Sequence, residues 1–386
     1  MSWTYNRETK SFISDECNCK VPYHFNDNYN GKPFENRPDA YHINILYRGE
    51  LKESNSYTLR KKSDGSSELL GWAVSLLTLF TEDETIRKHE HIAEYAYILH
   101  LYLLNDCGVG QLIVEHDCSF LEGVMLWCKK VYGSETWHQN LLFCVMDKEY
   151  AGDTLNFSYY LPYFANLDLH IRSSSMYHKE GALELPDTFG SNIIIQAISP
   201  ALINGTGQLV NPYLENYHQR VLDESSELMR FFLLYQVLEV MMDRVLLDIL
   251  HHIINSIEQE NGGMRDFDKQ LSETNEKDRI AKVFEYAGID YNTKSNLPFH
   301  KLFEDCNQLL LRKKHKTHTS LAYSIYNVRN LMVHRLRTLN QATDDIKPIN
   351  DALYLTINAI LINYKNTHPK DKNVTALSVQ PKQKAH

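Results

Sequence analysis

The chain lacks any apolar run long enough to cross a membrane. Its longest, from Leu69 to Phe80, is about a dozen residues, whereas a helical span needs about 20. The first residues, MSWTYNRETK, lack the apolar core of a signal peptide. The seven cysteines (Cys17, Cys19, Cys107, Cys118, Cys128, Cys144 and Cys306) are odd in number and form no pair of CxxC knuckles. These absences predict a cytoplasmic protein with no membrane partner, whose thiols are mostly small core hydrophobes. No GK[ST] follows Gly205-Thr206-Gly207, so a turn is expected there and not a phosphate loop. His89, Glu90, His91 and Glu94 lack HExxH spacing, and Cys17 and Cys19 stand too close together for a zinc knuckle. Neither group reads as a metal site, and no cofactor is implied. Asn373-Val374-Thr375 matches a glycosylation acceptor but has no secretory context.

What is present is a globular composition: 386 residues, 43% hydrophobic and 23% charged. At roughly 100–200 residues per domain, two domains are expected. The formal net charge of -9 argues against a generalised nucleic-acid coat, so any RNA contact must come from a local patch. Residues 1–215 read as a mixed α and β domain of unknown role. Strands are expected at Tyr41–Tyr47, Tyr57–Lys61, Gln111–Glu115, Leu141–Met146, Asn156–Leu161, Leu167–Arg172 and Asn192–Ile198. Helices are expected where Ser66 or Ser67 caps the Leu69–Phe80 run, from Glu90 to Cys107, and from Phe120 to about Tyr132. The pattern changes near Pro212. From about Glu227 to Ser256, apolar residues recur at three- and four-residue spacing. Shorter helices follow at Glu276–Ala287, Leu297–Lys313, Thr319–Leu339 and Ile349–Tyr364. Residues 216–366 therefore read as an all-α bundle, and 367–386 as a disordered tail.

One stretch stands out against the acidic background. From Leu309 to Arg337 there is no Asp or Glu, but there are Arg312, Lys313, Lys314, Lys316, Arg329, Arg335 and Arg337, with His315, His318 and His334. On the helix expected at Thr319–Leu339, Ile325, Val328, Met332, Leu336 and Leu339 fall within an arc of about 80° and form a core stripe. Tyr323, Tyr326, Asn330, His334 and Arg337 lie opposite. Arg329 stands about 140° from His334 around the axis, so both reach one ligand only if the arginine snorkels round or two copies of the helix face each other. RNA strand cleavage must deprotonate the 2′-hydroxyl, protonate the 5′-oxygen and stabilise the phosphorane. His334 can move the protons, Arg329 can pair with the phosphate, and Asn330, four residues before His334, can orient ligand or imidazole. The remaining cations suit phosphate contacts. Glu239, on the long first helix, needs a partner for its charge, and Arg329 is the candidate. The bland alternative is a solvated helix face.

Tyr323-Ser324-Ile325-Tyr326-Asn327-Val328-Arg329-Asn330-Leu331-Met332-Val333-His334 resembles the signature helix of the HEPN superfamily: an Arg, usually followed by a polar residue, and a His with four to six positions between it and the Arg, here four. Arg230-Phe231-Phe232-Leu233-Leu234-Tyr235-Gln236-Val237-Leu238-Glu239 resembles the long first helix of HEPN proteins from bacterial defence and abortive-infection systems. The resemblance covers about residues 225–365. It implies a homodimeric, metal-independent endoribonuclease that leaves 2′,3′-cyclic phosphate and 5′-hydroxyl ends. Arg329, Asn330 and His334 would be catalytic, with Tyr326 and Glu239 supporting them. Its partners would be RNA, a second copy of the chain, and a phage-derived or antitoxin protein. The rival readings are a non-catalytic adaptor that binds RNA or protein through the whole basic stretch, and a helical oligomerisation module.

Overall fold

The computed structural model describes all residues except 30, 35–37, 50, 53, 64–65, 153–154, 172–183, 187–188, 259–274, 290–297, 335–342 and 366–386. The chain forms two compact units. The first comprises Met1–Tyr177 with Ala182–Gln196, and the second His178–Gly181 with Ala197–His386. The first is rich in sheet and the second is helical. The expected tail, including Asn373, lies outside the described residues.

In the first unit a three-stranded meander, β1 (Trp3–Asn6), β2 (Ser11–Ser14) and β3 (Lys20–Pro22), precedes a two-residue pair, β4 (Asn28–Tyr29) and β5 (Lys32–Pro33). The main sheet holds β6 (Tyr41–Tyr47), β7 (Ser56–Ser63), β8 (Ser66–Ser75), β9 (Leu141–Asp147) and β10 (Ser191–Ile195), in the order β10-β7-β8-β9-β6. Among the described residues of this sheet only the β10–β7 pair is parallel.

The helix expected over Leu69–Phe80 is instead β8 followed by a 3₁₀ turn, Leu76–Phe80. Asp64-Gly65 is a hairpin sequence, and Ser63 pairs with Ser66 across it. Leu70 to Ser75 are all buried because β8 lies between β7 and β9, and a central strand covered on both faces reads as one apolar run. Gly71 sits where the β7–β8 register shifts. A Cβ there would lie 2.1 Å from the Val145 carbonyl oxygen, so the close approach of β9 requires glycine.

Helices α1 (Glu84–Lys88), α2 (Glu90–Asn105), α3 (Val109–His116) and α4 (Phe120–Tyr132) follow β8. The expected strand Gln111–Glu115 lies within α3. Val109 and Ile113 bury one face of that helix, and a Cβ on Gly110 would meet the Trp3 indole nitrogen at 2.1 Å. The expected strand Asn156–Leu161 is a 3₁₀ turn (Phe157–Tyr160) capped by Asn156, whose side chain accepts from Ser158 N at 3.1 Å. Short helices α5 (Lys148–Ala151) and α6 (Leu161–Asn166) flank it. Of the strand expected at Leu167–Arg172, the described part makes one bridge, Tyr47 to His170. The core of this unit is aromatic. His100 is stacked between Phe12 (5.6 Å) and Phe120 (4.6 Å), and Tyr23 and Tyr97 pack around Phe12. Among the described residues no single helix is long and apolar enough to cross a membrane.

The second unit starts at Ala197, earlier than the expected boundary at 216. Ser199 pins the segment to the last helix: its N–H donates to Leu361 O at 2.8 Å and its hydroxyl to Tyr364 O. The helices are α7 (Tyr213–Asp223), α8 (Glu227–Glu258), α9 (Glu276–Tyr286), α10 (Phe299–Arg312), α11 (Leu321–His334) and α12 (Thr343–Asn363). Helix α8 packs against α7, α9 and α12, while α11 packs against α9 and α10. Helix α12 starts before the expected Ile349 and runs through Pro348. At the α7–α8 corner the buried Arg230 donates to the carbonyls of Val221 and Glu224 and to Glu227 Oε1, and Asn350 of α12 donates to Glu227 Oε2 at 2.7 Å.

Candidate functional site

Helix α11 buries Leu321, Ala322, Ser324, Ile325, Val328, Leu331 and Met332. The stripe is wider than the expected Ile325–Val328–Met332 line because α9 and α10 flank the helix on two sides. Leu336, Leu339, Arg335 and Arg337 lie outside the described residues. The Ser324 hydroxyl donates to Ser320 O (3.0 Å) and to Asn307 Oδ1 (3.2 Å), so its burial is compensated.

The residues opposite the core stripe are graded in exposure. Tyr323, Tyr326 and Asn330 are half-buried, and His334, at the carboxy-terminal end of the helix, is exposed. Arg329 is half-buried. Its Nη1 donates to Asn330 Oδ1 at 3.2 Å, its Nη2 lies 3.7 Å from Glu239 Oε1, and its guanidinium carbon lies 5.7 Å from the centre of the Tyr235 ring. The Glu239 pairing read from the sequence is therefore present. Its side chain is 44% exposed, however, so water shares in neutralising it. Asn330 supports the guanidinium; the imidazole four residues on is not its partner here.

Beyond Glu239, α8 and α9 add groups for which the local sequence pattern holds no signal. Asn275 caps α9 by accepting from Asp278 N at 3.2 Å, which places Glu276, Lys277 and Asp278 in its first turn. Tyr235 donates to Glu276 Oε1 at 2.9 Å. Burial, and secondly the Glu276 charge, push the Tyr235 phenol well above its usual range. Burial also raises the Glu239 carboxyl, against the lowering effect of Arg329. The Lys277 ammonium lies 5.1 Å from the centre of the Tyr323 ring and 5.2 Å from that of Tyr326. The acid-free stretch of sequence thus meets carboxylates brought by other helices, among them Asp278, which accepts from the Tyr323 hydroxyl at 3.4 Å.

The basic residues assigned to RNA binding do not act alike. Arg312 is ion-paired with Asp345 and donates to Gln308 Oε1 at 3.3 Å. These groups line a cavity of about 120 Å³ with Asp305, Leu309 and Pro348, well below the roughly 300–1,000 Å³ of small-molecule sites. Lys313 is half-buried at the end of α10, and Lys314 and Lys316 are exposed. Lys314 takes a left-handed conformation (φ 59°), which ends α10 with Lys314 N and His315 N bonded to Leu311 O and Leu310 O. Asn307 then clamps the loop, donating to His318 O (3.0 Å) and accepting from His318 N (2.9 Å).

Elsewhere, His91 stacks on Trp72 (4.9 Å) and Glu94 accepts from the Tyr41 hydroxyl (3.0 Å). Gly205-Thr206-Gly207 forms a turn in which Asn204 Oδ1 accepts from Thr206 N and Gln208 N, each at 3.0 Å. All seven cysteines are free thiols. Among the described residues no group of three or more His, Cys, Asp or Glu side chains could hold a metal ion. No protein-family model matches the chain, and no match to it is found among curated proteins or solved structures.

Proposed function

We propose that the chain is a metal-independent endoribonuclease of HEPN type, working as a homodimer in a bacterial defence or toxin-like system. The observation that carries the reading is the treatment of Arg329. Its guanidinium is held half-buried by Asn330, Glu239 and the Tyr235 ring, on the same helix as an exposed histidine. The two residues are five positions apart, about 7.5 Å along the axis. A phosphate entering between two such helices would take bidentate N–H groups from Arg329 of one copy and meet His334 of the other.

The steps balance without a redox partner. One His334 imidazole takes the 2′-hydroxyl proton, and the 2′-oxygen attacks phosphorus. The bond from phosphorus to the 5′-oxygen breaks, and a second, protonated His334 gives that oxygen a proton. Arg329 stabilises the charge of the phosphorane. The products are a 2′,3′-cyclic phosphate and a 5′-hydroxyl. The adaptor reading relies on the whole basic stretch, and it is weakened by the commitment of Arg312 to Asp345.

The test incubates the protein with total RNA in EDTA and maps the new ends, with light scattering to report mass. Cleavage with cyclic-phosphate ends by a dimer is expected, and His334→Ala should lower the rate by about 10²–10⁴-fold. Full activity in a stable His334→Ala dimer, or arrest by EDTA, rejects the reading.

A further inference from the structure

The charges around Arg329 nearly cancel. Lys277 and Arg329 are countered within the same cluster by Glu239, Glu276 and Asp278. The cluster itself therefore adds little to the phosphate-charge attraction that drives non-specific duplex binding. It does, however, carry half-buried aromatic rings beside a cation. Tyr323 and Tyr326 are both half-buried, and one ammonium lies over both rings. The His318 ring lies 6.1 Å from Tyr323 and extends the aromatic patch toward the loop of Lys314 and Lys316. Burial and the neighbouring Lys316 and Lys277 hold His318 below its ordinary range. The Tyr323 hydroxyl is held by Asp278, which fixes the ring's direction.

We infer that this site takes single-stranded RNA and that an unpaired base stacks on Tyr326 and Tyr323 beside Lys277. The inference rests on the ribonuclease reading above for the identity of the ligand. Stacking needs a free π-face, which a paired and stacked base cannot offer, and aromatic platforms beside cations are a sequence-tolerant way to hold single strands. The half-exposed cation–π contacts of Lys277 are the weaker interaction and are given up when the base enters. The ammonium then moves to the phosphate of the same nucleotide. Tyr326 stands one helical turn from Asn330 and two from His334, roughly 6 and 12 Å along the axis. The stacked base therefore belongs to a nucleotide beside the cleaved linkage and not to the one that is attacked.

The test measures binding to the full-length His334→Ala protein, which removes cleavage from the reading. The probes are a short labelled single-stranded RNA and the same strand annealed to its complement, at matched salt. The single strand should bind at least about tenfold more tightly than the duplex. Tyr326→Leu should weaken single-strand binding about five- to a hundredfold. Tyr326→Phe, which keeps the ring, should remain within about twofold, and neither change should alter duplex binding. Lys277→Gln should flatten the salt dependence by about 0.7 in log–log slope. Equal or tighter duplex binding overturns the inference, as does a folded Tyr326→Leu protein that binds the single strand normally. If Tyr326→Leu does not fold, the single-strand to duplex ratio and the Lys277→Gln slope decide. Strand-selective binding by a parent protein that never cuts RNA would reject the nuclease reading and leave this inference standing. Cleavage of single strand and duplex alike would do the reverse.

Discussion

Arg329 carries two loads, a structural contact to α8 and the proposed phosphate contact, and they can be separated. Burial raises the Glu239 carboxyl despite the neighbouring guanidinium, so the pair adds little net stability. Glu239→Gln should cost less than about 1 kcal/mol and should tighten RNA binding, because the guanidinium loses its internal competitor. Arg329→Ala should abolish cleavage, with a similarly small loss of stability. Melting curves set beside rates check both, and a large drop in melting temperature for Glu239→Gln would show the pair to be structural. Lys313→Ala/Lys314→Ala should only weaken RNA binding, with an effect that fades as salt rises. In the first unit, burial pushes the His100 imidazole down to about 4. Its folded value lies below its unfolded one, so its contribution to stability is intact above the unfolded value near 6.5 and falls as pH drops towards 4. At pH 5 the loss from this residue should be about 2 kcal/mol. Urea unfolding at pH 7 and pH 5 should show His100→Phe losing less than the parent by about that amount. Equal losses would show that His100 is not buried in its neutral form.

At the scale of elements, one corner holds the second unit together. Arg230 is 2% exposed and its guanidinium closes the α7–α8 turn, while Asn350 ties Glu227 to α12. Removing the cation leaves two carbonyls and Glu227 Oε1 without this donor at a buried corner. Arg230→Ala should therefore cost about 3–5 kcal/mol, whereas surface charge deletions cost well under 1. Calorimetry should show the transition of the helical unit shifting while that of the sheet unit stays in place. A shift under 1 kcal/mol would mean that water reaches the corner. The element errors in the sequence reading share a cause. In the Leu69–Phe80 run and in Gln111–Glu115 the local pattern is the only sequence signal, and local pattern cannot tell a central strand from a buried helix. Strand β8 is decided by its neighbours β7 and β9, and α3 by its packing on Trp3.

At the scale of the molecule, the boundary matters for any dissection. A fragment of 197–386 keeps the clamp of Ser199 on Leu361 and Tyr364, and one of 216–386 loses it together with the start of α7. At about 1 kcal/mol for each hydrogen bond, the shorter fragment should be at least about 2 kcal/mol less stable. Circular dichroism melts of the two would show this, and coincident curves would return the boundary to Pro212.

The sequence by itself determined the helical periods of the second unit. Glu227, Glu276, Phe120 and Tyr132 all mark element ends as expected, because caps, glycine stops and the 3.6-residue repeat act within a few residues. It also placed Arg329, Asn330 and His334 on one helix and proposed Glu239 as a partner for the arginine. Only the tertiary structure decided what surrounds them. Tyr235, Glu276 and Lys277 come from other helices; Tyr235 and Glu276 alone are 41 positions apart. Arg312 is paired with a carboxylate 33 positions away. Side-chain contacts and desolvation depend on distance in space, which no local repeat encodes, so the acid-free stretch meets carboxylates at Arg312, Tyr323 and Arg329 in the fold while Lys314 and Lys316 stay exposed.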